Sequence, residues 1–316
     1  MPNLVRRLCL GTCTILFVIP AGGCEHSDTK QVRQRVARLV GTSPYAWDDD
    51  KPRKELLEQE GVACEGRHVV AWFSVAAAAK SPALAEPERR VIVDRLDRGV
   101  AAAKRFIGKP NWSFCDDSRV YFYFPDANFI SHAPGGNTVY IPLWRIREDK
   151  APWLHEAMHI LLEADGEDWL AQPGEFAAAR MPLWLQEGLA DALAMEISAR
   201  EGLAYYSPLI DVPAEKLDEF AASQVRSCPD SNRLLAYIGG RGKMPELFGE
   251  RRVEYAVAFY AASASFVRFI AKQHGYPSLI EAVLKFDHEH EELERLMGES
   301  LISVKQSWLR AIAYQL

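Results

Sequence analysis

The period of the apolar positions changes once along the chain, and that change organises everything else. His68 to Ser74 (His-Val-Val-Ala-Trp-Phe-Ser) and Arg119 to Phe124 (Arg-Val-Tyr-Phe-Tyr-Phe) are short runs rich in β-branched and aromatic residues, as strands are. Thr138 to Leu143 (Thr-Val-Tyr-Ile-Pro-Leu) is a third such run. Pro142 cannot donate to a ladder, which assigns that strand to a sheet edge. Between the first two runs, Leu84 to Ile107 carries Ile92, Leu96, Val100 and Phe106 near one helical face and stops at Gly108, so a long amphipathic helix is predicted there. Pro52 to Gly61 reads as a short polar helix, and Pro125 to Asn137 as a loop ending in the Pro134-Gly135-Gly136-Asn137 turn. Beyond Lys150 the strand pattern disappears. Spacing predicts helices near 151–165, 182–200, 214–224, 253–274, 277–286, 290–297 and 301–315.

The order β-α-β-β followed by helices alone predicts an α+β fold. A small mixed β-sheet with helices, within residues 46–150, packs on a mainly α-helical part, 151–316. The two parts form one continuous domain of about 62–316.

Residues 1–23 stand outside this pattern. Arg6 and Arg7 precede an apolar run, Leu8 to Pro20, which ends in Ala21-Gly22-Gly23-Cys24. Basic start, short apolar core and small-residue exit are the order of a secretory signal. The run falls short of the about 20 residues that a spanning helix needs. Cys24 after small residues resembles the lipobox of bacterial lipoproteins, although Ala21 stands where such boxes usually carry Leu. That resemblance implies cleavage before Cys24, lipidation of its thiol and a polar tether over 24–45. With Glu25 next, it implies a site on the outer membrane facing the periplasm in a cell that has one. An ordinary signal peptide cleaved nearby is the alternative.

The composition, 48% hydrophobic and 25% charged in 316 residues, is that of a globular chain. The net charge of −6 with no basic block argues against nucleic acid as a partner. Cys9 and Cys13 belong to the leader, and Cys64, Cys115 and Cys228 remain. In an oxidising compartment the simplest account is one disulfide and one buried thiol; three pairings stay open.

The strongest chemical signal is His155-Glu156-Ala157-Met158-His159. On a helix, residues four apart lie one turn apart on one face, so both imidazoles can reach one ion. Glu156, about 100° round the helix from His155, can reach an attacking water without ligating the ion, as a general base must. The flanks Trp153, Leu154, Ile160, Leu161 and Leu162 are apolar, so this helix is buried, and buried His and Glu need partners. Asp149 and Pro152 suit its cap and first turn.

The third ligand decides the class. Asp165 would match an extended motif that requires a sharp turn, but Leu162 occupies the turn position and does not easily take positive φ. Glu163 is a weaker rival. The better candidate is Glu187, in Pro182-Leu183-Trp184-Leu185-Gln186-Glu187-Gly188-Leu189-Ala190-Asp191. Gly188 and Ala190 allow a neighbouring helix to approach closely. Asp191, one turn beyond Glu187, can accept the other ring N–H of a ligating His. Two His and one Glu is a ligand set of catalytic zinc.

His155 to His159, then Trp184-Leu185-Gln186-Glu187-Gly188 and Asp191, resemble the gluzincin metallopeptidases, the thermolysin-like families of the peptidase MA group. Tyr260 to Val267, Gly275 and Leu301 to Trp308 resemble the helices that follow the site in bacterial members. The resemblance implies one Zn²⁺ per chain held by His155, His159 and Glu187 at the junction of the two parts. It implies Glu156 as base, Asp191 as orienter of a ligand His, and a peptide or protein substrate laid along the strand Thr138 to Leu143. It further implies a Tyr or His from the helical part at the oxyanion, with Tyr260 the first choice and Tyr255 the second. Two other functions stay open: a zinc-binding envelope lipoprotein acting as an assembly module, and a zinc hydrolase of a non-peptide amide.

Other features carry less. His288-Glu289-His290 lies in a charged run and reads as a solvated helix start. His68 opens a strand and reads as structural. His132 precedes the expected edge strand, within reach of substrate. Asn111-Trp112-Ser113 fits a glycosylation sequon, silent behind a bacterial leader. G-x-S-x-G, phosphate-loop and dinucleotide signatures are missing.

Overall fold

A computed structural model describes residues 50–75, 83–129, 131–162, 181–204, 206–207, 210, 212–240, 252–285 and 291–313. The leader with Cys24, the tether, Glu163, Asp165 and His288 to His290 lie outside the described residues.

Five strands form one mixed sheet. They are β1 (Val62–Glu65), β2 (Val69–Phe73), β3 (Val120–Phe124), β4 (His132–Gly135) and β5 (Thr138–Tyr140), in the order β1-β2-β3-β5-β4. β1 is antiparallel to β2, β2 and β3 are parallel, β3 and β5 are parallel, and β4 is antiparallel to β5. A parallel neighbour needs a crossover, and helix α2 (Glu86–Phe106) supplies it between β2 and β3. Before the sheet lies α1 (Asp50–Glu60). The α2 sequence suits its dipole, with Glu86 and Glu88 in the first turn and Lys104 and Arg105 in the last. The Glu88 carboxylate accepts from the Ala85 N–H at 2.7 Å. Alanine has no side-chain oxygen to return the bond, so half of a capping box forms.

The expected edge strand is corrected. β5 lies inside the sheet between β3 and β4, and the edge is β4, within the segment read as loop. Pro142 has left the ladder and caps the short helix α3 (Leu143–Arg147). The proline that marks the edge is Pro134, in β4, where a missing N–H is tolerated. β1 was also unforeseen; it has only four residues and one buried position, Cys64.

Helices follow. They are α4 (Trp153–Leu161), α5 (Leu183–Glu201), α6 (Leu217–Ser227), α7 (Ser231–Tyr237), α8 (Arg252–His274), α9 (Tyr276–Leu284), α10 (Glu291–Met297) and α11 (Leu301–Ala313). The short α3 and α7 were not foreseen from spacing, and a 3₁₀ turn, Ala214–Lys216, precedes α6. One core cluster runs from Cys64 in the sheet to Ile312 in α11. None of Cys64, Cys115 and Cys228 forms the expected disulfide: Cys64 and Cys228 are buried, and Cys115 is exposed in a turn at φ 48°.

Two glycines set the position of the central helices. A Cβ on Gly99 of α2 would lie 2.3 Å from the Trp153 ring, so glycine lets the start of α4 press against α2. A Cβ on Gly188 of α5 would lie 2.6 Å from the Ser263 carbonyl oxygen of α8. The close approach expected at Gly188 is thus made by α8. Helix α5 is buried almost all round, Glu187 and Asp191 included. Such a helix is a central one, and its carboxylates need partners.

Candidate metal centre

Helix α4 begins at Trp153, with Pro152 in the cap position. Asp149 does not cap it: it takes φ 54°, and its carboxylate accepts from Arg95 Nη1 at 2.6 Å. From α4, the His155 and His159 rings project from one face with centroids 4.7 Å apart. Strand β4 and helices α2 and α5 pack around α4.

Three atoms meet at this face. His155 Nε2 and His159 Nε2 are 3.0 Å apart, and Glu187 Oε2 lies 3.3 Å from the first and 3.5 Å from the second. Zinc ligands at about 2.0–2.1 Å in tetrahedral directions stand about 3.3 Å from one another. The triangle therefore has the size of one face of a zinc tetrahedron. Asp191 settles the chemistry of its first corner. Its Oδ1 is 3.0 Å from His155 Nδ1; an ionised carboxylate only accepts, so Nδ1 carries the hydrogen. In the neutral imidazole Nε2 is then left with its lone pair aimed at the other two corners; in the protonated ring it donates there instead.

These acceptors converge where water is scarce. His155 is 8% exposed, Glu156 6%, Glu187 4% and Asp191 1%. Burial opposes a charge on His155, but the Asp191 charge and hydrogen bond, with Glu187 and Glu156, outweigh it and raise the His155 pKa well above the ordinary range. Burial likewise pushes the Glu187 carboxyl upward, yet the His159 charge and hydrogen bonds from both imidazoles hold it far below the usual carboxylate range. Burial raises Glu156, and the two imidazoles only partly offset it. A buried set of two imidazoles and one carboxylate demands positive charge at its centre, as protons or as a cation. The donor set, its spacing and the Asp191 orienter fit a zinc ion. No family model, no curated protein and no solved structure matches this chain. The reading of the site therefore stands on its own geometry.

The residues that sequence singled out are thus gathered: His155, Glu156 and His159 from α4, Glu187 and Asp191 from α5. Ligand atoms of His155, Glu156 and His159 all lie within 4.8 Å of one another. Tyr260 lies on α8, buried, with its ring edge-on to Phe259 at 5.9 Å, and Tyr255 is half-buried earlier in the same helix. His132 is placed in β4, buried and stacked on Tyr140 at 5.3 Å, and its charge acts on Glu156. His68 immediately precedes β2, and its backbone N–H donates to Asp97 Oδ1 at 2.6 Å.

Sequence reasoning passed over Arg145, which is 2% exposed and feels the charge of Glu156. A visible signal was a lone cation in the apolar run Leu143-Trp144-Arg145-Ile146. Among the described residues no helix is long and apolar enough to cross a membrane.

Proposed function

We propose that this protein is a zinc metallopeptidase of the gluzincin type, exported and tethered to a bacterial envelope through lipid on Cys24. The observation that carries the reading is the triangle of His155 Nε2, His159 Nε2 and Glu187 Oε2, with a buried Glu156 carboxylate beside it. A zinc ion held there supplies Lewis acidity, which acidifies a water and polarises a carbonyl.

The chain's own residues do the rest. Glu156 takes a proton from the attacking water and delivers it to the leaving amine. Its buried setting, which raises its proton affinity, brings it toward the range in which a carboxylate both accepts and returns a proton near neutrality. Asp191 holds His155 in the tautomer that would leave its Nε2 lone pair available to the ion. The outer side of edge strand β4, packed against α4, offers backbone groups to an extended peptide. Tyr260 is assigned to the developing oxyanion on resemblance, which its place on a helix packed against α5 accommodates.

Metal analysis of the purified full chain is expected to give about one zinc per chain, lost in Glu187→Ala. Glu156→Gln is expected to keep the zinc and lose hydrolysis of a mixed peptide library by about 10²–10⁴-fold. A parent without metal above background overturns the reading. A zinc-loaded parent that cleaves peptidoglycan but no peptide turns it to a non-peptide amide; one that cleaves neither turns it to an assembly module.

A further inference from the structure

Resting on the peptidase reading, we propose that Arg145 binds a substrate carboxylate, so that the site selects peptides with a free C-terminus. The starting observation is a buried charge. Arg145 is among the largest fully buried side chains in the protein. A guanidinium keeps its charge at any physiological pH, and a buried charge needs a counter-charge and filled hydrogen bonds.

Arg145 has little of either. Its Nη1 donates to Ser131 Oγ at 3.3 Å, its guanidinium lies 5.4 Å over the Trp144 ring, and its buried Nε–H has no hydrogen-bond partner. Among the described residues no carboxylate stands within ion-pair distance of it. Arg95 also leaves a buried Nε unbonded, but there Asp149 meets the charge at 2.6 Å. Burial lowers the Arg145 pKa to about 10, and the facing groups are Tyr206 and Glu156.

Position supplies the second half. Ser131, the anchor of Arg145, immediately precedes His132, the first residue of edge strand β4. The strand packs on α4, and Glu156 lies close enough for its charge to act on Arg145. A peptide laid antiparallel along β4, with its reacting amide at Glu156, would end near Ser131, which the guanidinium contacts. A carboxylate there accepts from the idle Nε–H in a charge-assisted bond and neutralises the buried cation. A C-terminal amide supplies no charge.

The test uses the purified full chain carrying Glu156→Gln, so that nothing is consumed. It is incubated with N-acetylated tetrapeptides, each present as the free acid and as the C-terminal amide, and bound peptide is identified by mass spectrometry after rapid filtration. Acids are expected to be retained at least about tenfold over their amides, as a charge-assisted bond to a buried guanidinium implies. The preference is expected to vanish in Arg145→Gln and to shrink in Ser131→Ala. Equal retention of acid and amide, retention of neither, or a preference that survives Arg145→Gln overturns the proposal. The acid–amide comparison in the parent needs no Arg145 variant, so a misfolded variant leaves the proposal open to refutation. Hydrolysis is scored separately in the chain with Glu156 intact. If that chain cleaves nothing while the acid preference holds, the peptidase reading fails and the carboxylate site stands.

Discussion

His155 Nδ1 and Asp191 Oδ1 lie 3.0 Å apart across α4 and α5, and this bond points His155 Nε2 toward Glu187. It ties α4 to α5 at the face where His155, His159 and Glu187 converge. Replacing Asp191 with Ala is expected to lower zinc affinity about 10–100-fold, read by competition with a fluorescent chelator. Asp191→Asn, which still offers an oxygen to Nδ1–H, is expected to fall between. Unchanged affinity in Asp191→Ala would remove Asp191 from the site.

The acid–base balance of the cluster sets a pH signature. Without metal, the His155 pKa is raised above its ordinary 6.5. Its contribution to stability is complete below that value and is lost as pH rises through the folded pKa. Glu156, also raised from 4.5, weakens the fold as it ionises. Glu187 is depressed from 4.5, so its contribution is complete above that value and fails only in strong acid. The chelated protein should therefore lose thermal stability as pH rises above 6.5 and through the raised His155 pKa. Zinc needs the imidazoles unprotonated, so the rise in Tm on adding zinc should grow over the same interval. A zinc-induced shift independent of pH would contradict this account.

Gly188 tests how tightly α5 is clamped against α8. In an exposed helix Gly→Ala stabilises by about 1 kcal/mol. Here the new Cβ would stand 2.6 Å from the Ser263 carbonyl oxygen and 2.9 Å from Val267 Cγ2. Overpacking of this kind costs about 1–3 kcal/mol, so the net effect of Gly188→Ala is expected to be destabilising. Chemical denaturation measures it. A variant as stable as the parent would mean that α5 and α8 can part without cost, and the rigidity of Glu187 would need another source.

The boundary between legible and hidden features runs along interaction range. Strands β2 and β3 and helices α2, α4 and α5 were readable because burial periodicity is local. The edge was misassigned because Pro142 and Pro134 both satisfy the rule that proline avoids interior strands. Which of them stays in the sheet depends on where the β4–β5 hairpin folds back. Strand β1 escaped notice because four residues give too few alternations to form a pattern. The short helices α3 and α7, at five and seven residues, lack the length to show a period.

The sequence by itself determined which side chains form the cluster and much of their geometry. His155 and His159 share a helix face because α-helical rotation brings residues four apart together, and Glu187 and Asp191 do so for the same reason. Only the tertiary structure decided that these two faces meet, with Glu187 Oε2 3.3 Å and 3.5 Å from the imidazoles. That meeting depends on packing between helices distant in sequence, with α4 seated against α2 at Gly99 and α5 against α8 at Gly188, where a side chain would not fit. It also decided that Arg145 lies buried near Glu156, since the position of a lone charge depends on which surfaces close over it.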